Sequence, residues 1–73
     1  MLILKIRTLD NRVLGTTTQS SLTLGIGRWP WIQDVIAEEF NCDEDDIASS
    51  ETDDGDIITV RGEPVAQLFV QVR

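Results

Sequence analysis

The chain has 73 residues, with thirteen Asp or Glu, six Lys or Arg, no His and a net charge of −7. This length predicts one domain over residues 1–73, with a core so small that association is a common source of added stability. Two Trp and an ordinary apolar content argue against intrinsic disorder, and the acidic balance disfavours direct binding to nucleic acid or to an anionic membrane.

Residues 2–8 alternate, with Leu2, Leu4 and Ile6 on one side and Ile3, Lys5 and Arg7 on the other. That pattern predicts a strand with one strongly apolar face. Asp10-Asn11 follows, and both residues tolerate the positive φ of a tight hairpin. RVLGTTT (12–18) is the returning strand, in which Gly15 marks a bulge or a close approach of another element.

SSLTLGIG leads out of the sheet, and RWPWIQDVIAEEF is the helix. Pro30 suits its first position, where no backbone donor is needed. Ile32, Val35, Ile36 and Phe40 form one helical stripe. Trp29 falls near the stripe and is expected to pack against it. Trp31 falls at its border, close to Asp34 and Glu38, and can be either an exposed anchor or a half-buried core residue. Asn41 is the expected stop.

DEDDI predicts a turn from which Ile47 packs back on the core, and ASSE a short edge strand. Asp53-Asp54-Gly55 reads as a turn, DIITVR as a strand, Gly62-Glu63 as a tight turn, and PVAQLFVQVR as the last strand. In that strand Ala66, Leu68, Val70 and Val72 share a face.

The expected fold class is α+β: a single small domain of order β-β-α-β-β, with room for an extra short strand at 47–51. One helix packs on a mostly antiparallel sheet. The connection through the helix can bring the chain back beside the first strand, making the first and last strands central neighbours. KIRTLDNRV, ITVRGEPV and AQLFVQVR resemble the hairpins and last strand of ubiquitin-like proteins, and the resemblance implies a β-grasp-like sheet. The ending Val72-Arg73, in place of the Gly-Gly tail of conjugated modifiers, sets a modifier role aside.

Sites of chemistry are scarce. Without His there is no Ser/His or Cys/His pair and no zinc ligand set. Cys42 is the sole cysteine and is expected to be a small, half-buried apolar residue. GIGRWP begins like a dinucleotide loop, but Pro30 stands where the last Gly belongs. An EF-hand counted back from Gly55 fails, because Ser50 and Thr52 hold ligand positions and Arg61 holds the last. No enzyme activity, metal or cofactor is expected. Lys5 and Arg7 interrupt the start MLILKIR, so it does not read as a signal peptide, and a cytoplasmic setting is expected, the host cytoplasm for a phage-encoded chain.

The informative stretch is 38–56, EEFNCDEDDIASSETDDGD. It carries Glu38, Glu39, Asp43, Glu44, Asp45, Asp46, Glu51, Asp53, Asp54 and Asp56 and no cation. A solvated face that keeps the protein soluble is the simplest account. Three features point beyond it. Glu38 and Glu39 oppose the helix dipole, at about 0.3–1 kcal/mol each, with no basic residue one turn away. Glu39 falls angularly among Ile32, Val35 and Ile36. All six cations lie outside the run. A dense carboxylate surface can imitate phosphates and compete for a basic groove.

In size, charge and lack of catalytic chemistry the chain resembles the small inhibitors encoded by phages and mobile elements, of the anti-CRISPR type. That resemblance implies a basic, nucleic-acid-binding protein as partner. The expected contact residues are the ten acids of the run with Trp31 and Asp34. The alternative is a homo-oligomeric or adaptor module with a merely solvated acidic face. For a homodimer the contact would be the outer sheet face, carrying Ile3, Ile57, Val65 and Phe69. Direct nucleic-acid binding through Lys5, Arg7 and Arg73 on one sheet face is set aside, because the net charge works against it and no aromatic platform is expected beside them.

Overall fold

Alternation over residues 2–8 forms β1 (Leu2–Thr8) in the computed structural model, which describes residues 1–53 and 55–73. The elements that follow are β2 (Val13–Thr18), α1 (Gln19–Leu24), α2 (Arg28–Phe40), a 3-10 turn (Glu44–Asp46), β3 (Ile47–Thr52), β4 (Gly55–Val60) and β5 (Glu63–Val72). They make a small α+β domain. Its sheet has five strands in the order β2-β1-β5-β4-β3, and every neighbouring pair is antiparallel.

β1 lies against β5, so the first and last strands are neighbours. The route differs from the expected one. The chain leaving α2 does not return beside β1 but enters β3 at the far edge, and the hairpins β3-β4 and β4-β5 carry it back. Short connections between antiparallel strands favour this stepwise return. The edge strand expected over ASSE is β3.

A second difference is the second helix. SSLTLGIG was expected only to lead out of the sheet, but residues 19–24 of it and its approach form α1. The Thr18 hydroxyl caps α1 by accepting from the Ser21 backbone N–H at 3.2 Å, and Leu22 is its one buried residue. A six-residue helix is not stable alone, so docking of Leu22 and the Thr18 cap hold it.

In α2, Pro30 is the third residue rather than the first. The first helical bond runs from the Trp31 N–H to the Gly27 carbonyl, so Pro30 still lacks only a donor that the helix does not use. Asn41 stops the helix in the left-handed conformation (φ 50°), and the Cys42 N–H closes back on the Ala37 carbonyl at 3.2 Å. Cys42 is half-buried against the core.

The tight turn before β5 is centred on Arg61-Gly62, not Gly62-Glu63. Val60 pairs with Glu63, and both central residues have positive φ (53° and 83°). Two positive φ values match the twist of the flanking strands. In the first hairpin, Asn11 takes the positive φ (72°). The turn expected at 53–55 includes Asp54, which lies outside the described residues, while Thr52 pairs with Gly55 across it.

The core lies between the helices and one sheet face: Leu4, Ile6, Ile58, Ala66 and Leu68 from the sheet meet Leu22, Ile32 and Ile36 from the helices, with Ile47. Val35 and Phe40 complete the expected stripe in half-buried positions. Gly15 serves both expected purposes. Leu14 is the extra residue of a bulge beside it, and a side chain there would meet Trp31 and Val35 at 3.4 Å. Val70 and Val72 share the face of Leu68 but outrun the helices and are exposed.

Gly55 is the backbone position least able to accept a side chain. Its φ is +125°, and a Cβ would lie 2.5 Å from the Leu68 carbonyl oxygen. Gly55→Ala is expected to lower stability by about 2 kcal/mol or more in urea unfolding. An unchanged midpoint would contradict this placement of the β4 start.

Candidate functional site

Helix α2 has 13 residues, about 20 Å of rise, and separates the residues that the sequence placed on one surface. Glu38 and Glu39 lie at its C-terminal end, next to the 3-10 turn with Asp43, Glu44, Asp45 and Asp46. Glu51, Asp53 and Asp56 lie at the tip of the β3-β4 hairpin, about 17 Å away along β3. Asp34 is exposed on α2 between the two groups. The expected single acidic surface is therefore two, one at each end of the edge strand. Asp54, also expected to contribute, lies outside the described residues.

Each group has cations that the sequence order concealed. Arg12, from the first hairpin, reaches Glu39 at 2.6 Å. Arg61, from the left-handed turn, reaches Asp46 at 3.4 Å, and its backbone N–H donates to the Asp46 carbonyl at 2.8 Å. Arg28 lines a shallow cleft with Glu51, Asp53 and Asp56 and donates to the Gln19 side chain at 2.8 Å. Charge segregated along the chain is thus only partly segregated in space. Glu39, whose place among apolar residues looked unfavourable for folding, has a folding partner in Arg12. The pair is exposed on both sides, so its contribution is about 0.2–1 kcal/mol.

Among the described residues, Arg12–Glu39 and Arg61–Asp46 are the ion pairs within 4 Å. Glu38, Asp43, Glu44 and Asp45 are exposed and form neither. The acids of the 3-10 turn occupy its first turn, where negative charge suits the backbone dipole.

Of the two alternatives for Trp31 the structure takes the core one, and the expectation for Trp29 is overturned. Trp31 is half-buried against the core, with its ring edge over Gly15. Trp29 does not pack on the stripe and is 37% exposed, beside Arg28. The bulge at Leu14 and the missing side chain of Gly15 leave the space that Trp31 enters. Exposed Leu24, Ile26, Val70 and Val72 belong to the same end of the domain, where α1 runs into α2 and β5 outruns β4. An aromatic beside apolar and charged neighbours is the usual composition of a contact centre. Sequence reasoning missed Trp29 and Arg28. The available signal was their position ahead of the first helical bond, where side chains of a helix clear the sheet.

Asp10, outside the acidic run, is held below the usual carboxylate range. The Thr8 hydroxyl donates to it, desolvation opposes this, and Arg12 adds a lesser attraction. A depressed folded value means that its stabilisation is present above the unfolded value and is lost as pH falls through the folded one. Thr8→Val is expected to raise the Asp10 midpoint in a carboxyl NMR titration, and an unmoved midpoint would assign the shift elsewhere. For the tryptophans, acrylamide should quench Trp29 in Trp31→Phe more strongly than Trp31 in Trp29→Phe. The reverse order would return the exposed role to Trp31.

Set against known proteins, the chain matches no family model, no curated protein and no solved structure.

Proposed function

We propose that this chain is a small protein-binding module with no catalysis of its own, which occupies a basic nucleic-acid-binding surface of a partner. In this reading it is a nucleic-acid mimic of the anti-CRISPR-like kind, encoded by a phage or mobile element and acting in the host cytoplasm. The observation that carries the reading is the pair of exposed carboxylate groups at the two ends of edge strand β3. They present negative charge at two points about 17 Å apart, with only partial internal neutralisation. A partner whose Lys and Arg line a groove would meet both at once, with fast, salt-sensitive association. Trp29 replaces Trp31 as the proposed aromatic anchor, because it is the more exposed and follows Arg28, which lines the cleft.

A second reading, self-association through the outer sheet face, is favoured by half-buried Ile3, Ile57 and Phe69 there. Val65 does not join them. The bulge between Ile58 and Thr59 turns it toward Phe40 and the core. A two-fold contact on that face would set Lys5 and Arg7 against their own copies, which costs desolvation without compensation.

The test is a pull-down from nuclease-treated host lysate at low and high salt, with three baits. Native protein should capture a basic nucleic-acid-binding protein at low salt, and added oligonucleotide should displace it. Asp43→Asn/Glu44→Gln/Asp45→Asn and Glu51→Gln/Asp53→Asn/Asp56→Asn should each reduce capture about ten-fold or more, as expected when desolvated charge pairs are lost. Equal capture by all three baits would end the acidic-surface reading. Recovery of the protein alone would favour self-association.

A further inference from the structure

We infer that the sheet face turned away from the helices binds single-stranded nucleic acid. The inference concerns the surface opposite the acidic one and does not rest on the mimicry reading.

The starting point is alternation. Leu4 and Ile6 point to the helices, so Lys5 and Arg7 point away. Lys5 lies directly across from Phe69, and the Arg7 guanidinium stands over the Phe69 ring, 5.6 Å from its centre. Lys5, Arg7, Phe69 and Gln71 line one shallow depression on this face. Arg73 follows Val72, which pairs with Leu2 on the helix side, so the same alternation sends Arg73 to the outer face. Three of the six cations thus share one face along β1 and β5.

The described strand carboxylates go the other way. Asp56 pairs with buried Leu68, Glu51 pairs with Asp56, and Glu63 pairs with core-packed Val60. Opposed residues share a face, so all three belong to the helix side. The net charge of −7 is therefore an average over two unlike faces.

Distance decides which charge a ligand on this face meets. β1 is three strand spacings from β3, about 14 Å, whereas the screening length at physiological salt is about 8 Å. The acidic groups at the ends of β3 are largely screened at Lys5 and Arg7, whereas Phe69 also borders the cleft lined by Glu51, Asp53, Asp56 and Arg28. Among the described residues, no ion pair engages either cation. Arg7 donates from Nη1 to Asn11 at 3.1 Å, a neutral contact that leaves its charge uncancelled.

The occupant must then be anionic, must suit an open flat surface, and must use a planar group at its centre. Unstacked bases rest on aromatic rings and on guanidinium planes, and their phosphates suit flanking cations. An acidic peptide would use the cations but has less use for the aromatic ring of Phe69 beside them. A second copy of the chain would oppose like charges. Single-stranded nucleic acid uses all of these features.

The probe is a short labelled single-stranded oligonucleotide, followed by fluorescence anisotropy on the full chain. With three phosphate contacts, affinity should fall roughly twenty-fold between about 50 and 200 mM salt. Lys5→Gln/Arg7→Gln should abolish saturable binding, and Phe69→Leu should weaken it at least about five-fold. Asp43→Asn/Glu44→Gln/Asp45→Asn should bind as the native chain does, which separates this site from the acidic one. Circular dichroism checks that each variant folds. Should Lys5→Gln/Arg7→Gln unfold, amide shifts of the native protein decide: changes confined to β1 and β5 support the inference, and changes at the β3-β4 hairpin overturn it. No saturable binding at low salt, equal binding by folded Lys5→Gln/Arg7→Gln, or equally tight binding of polyglutamate would also overturn it.

Discussion

The pairing of β1 with β5 is the constraint on which the rest of the domain depends. It sets Leu4 opposite Val70, Ile6 opposite Leu68 and Thr8 opposite Ala66, so one register supplies the centre of the core. A slip of β1 by one residue against β5 would send Lys5 and Arg7 under the helices and Leu4 and Ile6 to the solvent. The cost of burying two cations excludes that alternative. The same pairing that buries the apolar face therefore also assembles the basic one.

From this pair the sheet grows in both directions by hairpins, and each hairpin ends in a contact with the helix layer. The first turn delivers Arg12 to Glu39, and the Arg61 turn clamps the 3-10 segment through Asp46. Neither ion pair is strong, because both are exposed. Their effect is to tie down the two places where negative charge is densest. The β3-β4 hairpin tip is tied differently: Gly55 crosses so close to the Leu68 carbonyl that only a glycine fits.

The sheet is covered on one side only. This leaves a bipolar molecule, with helices and carboxylates on one side and edge, and Lys5, Arg7 and Arg73 on the other face. Charge summed over the chain hides that division, because strand alternation sorts residues by parity and not by position along the sequence.

Much of the fold was legible because its signals are local. Alternation over 2–8, the Ile32–Phe40 stripe, Asn41 as a stop and Ile47 as an anchor each depend on a few neighbouring residues, and each appears in the structure. Helix α1 was not legible, since its six residues bury only Leu22 and show no period. The position of β3 at the far edge depends on which strand edges remain open, a property of the whole sheet. The candidate site divided in the same way. The number of carboxylates followed from the sequence, with the absence of histidine and the apolar periods of strand and helix. Only tertiary structure decided that the acids form two groups, that Arg12 and Arg61 neutralise part of them, that Trp29 and not Trp31 is exposed, and that Phe69 stands with Lys5 and Arg7. The reason is distance along the chain. Periodicity reports which side of an element a residue occupies, whereas these contacts join residues brought together by strand order, register and a bulge.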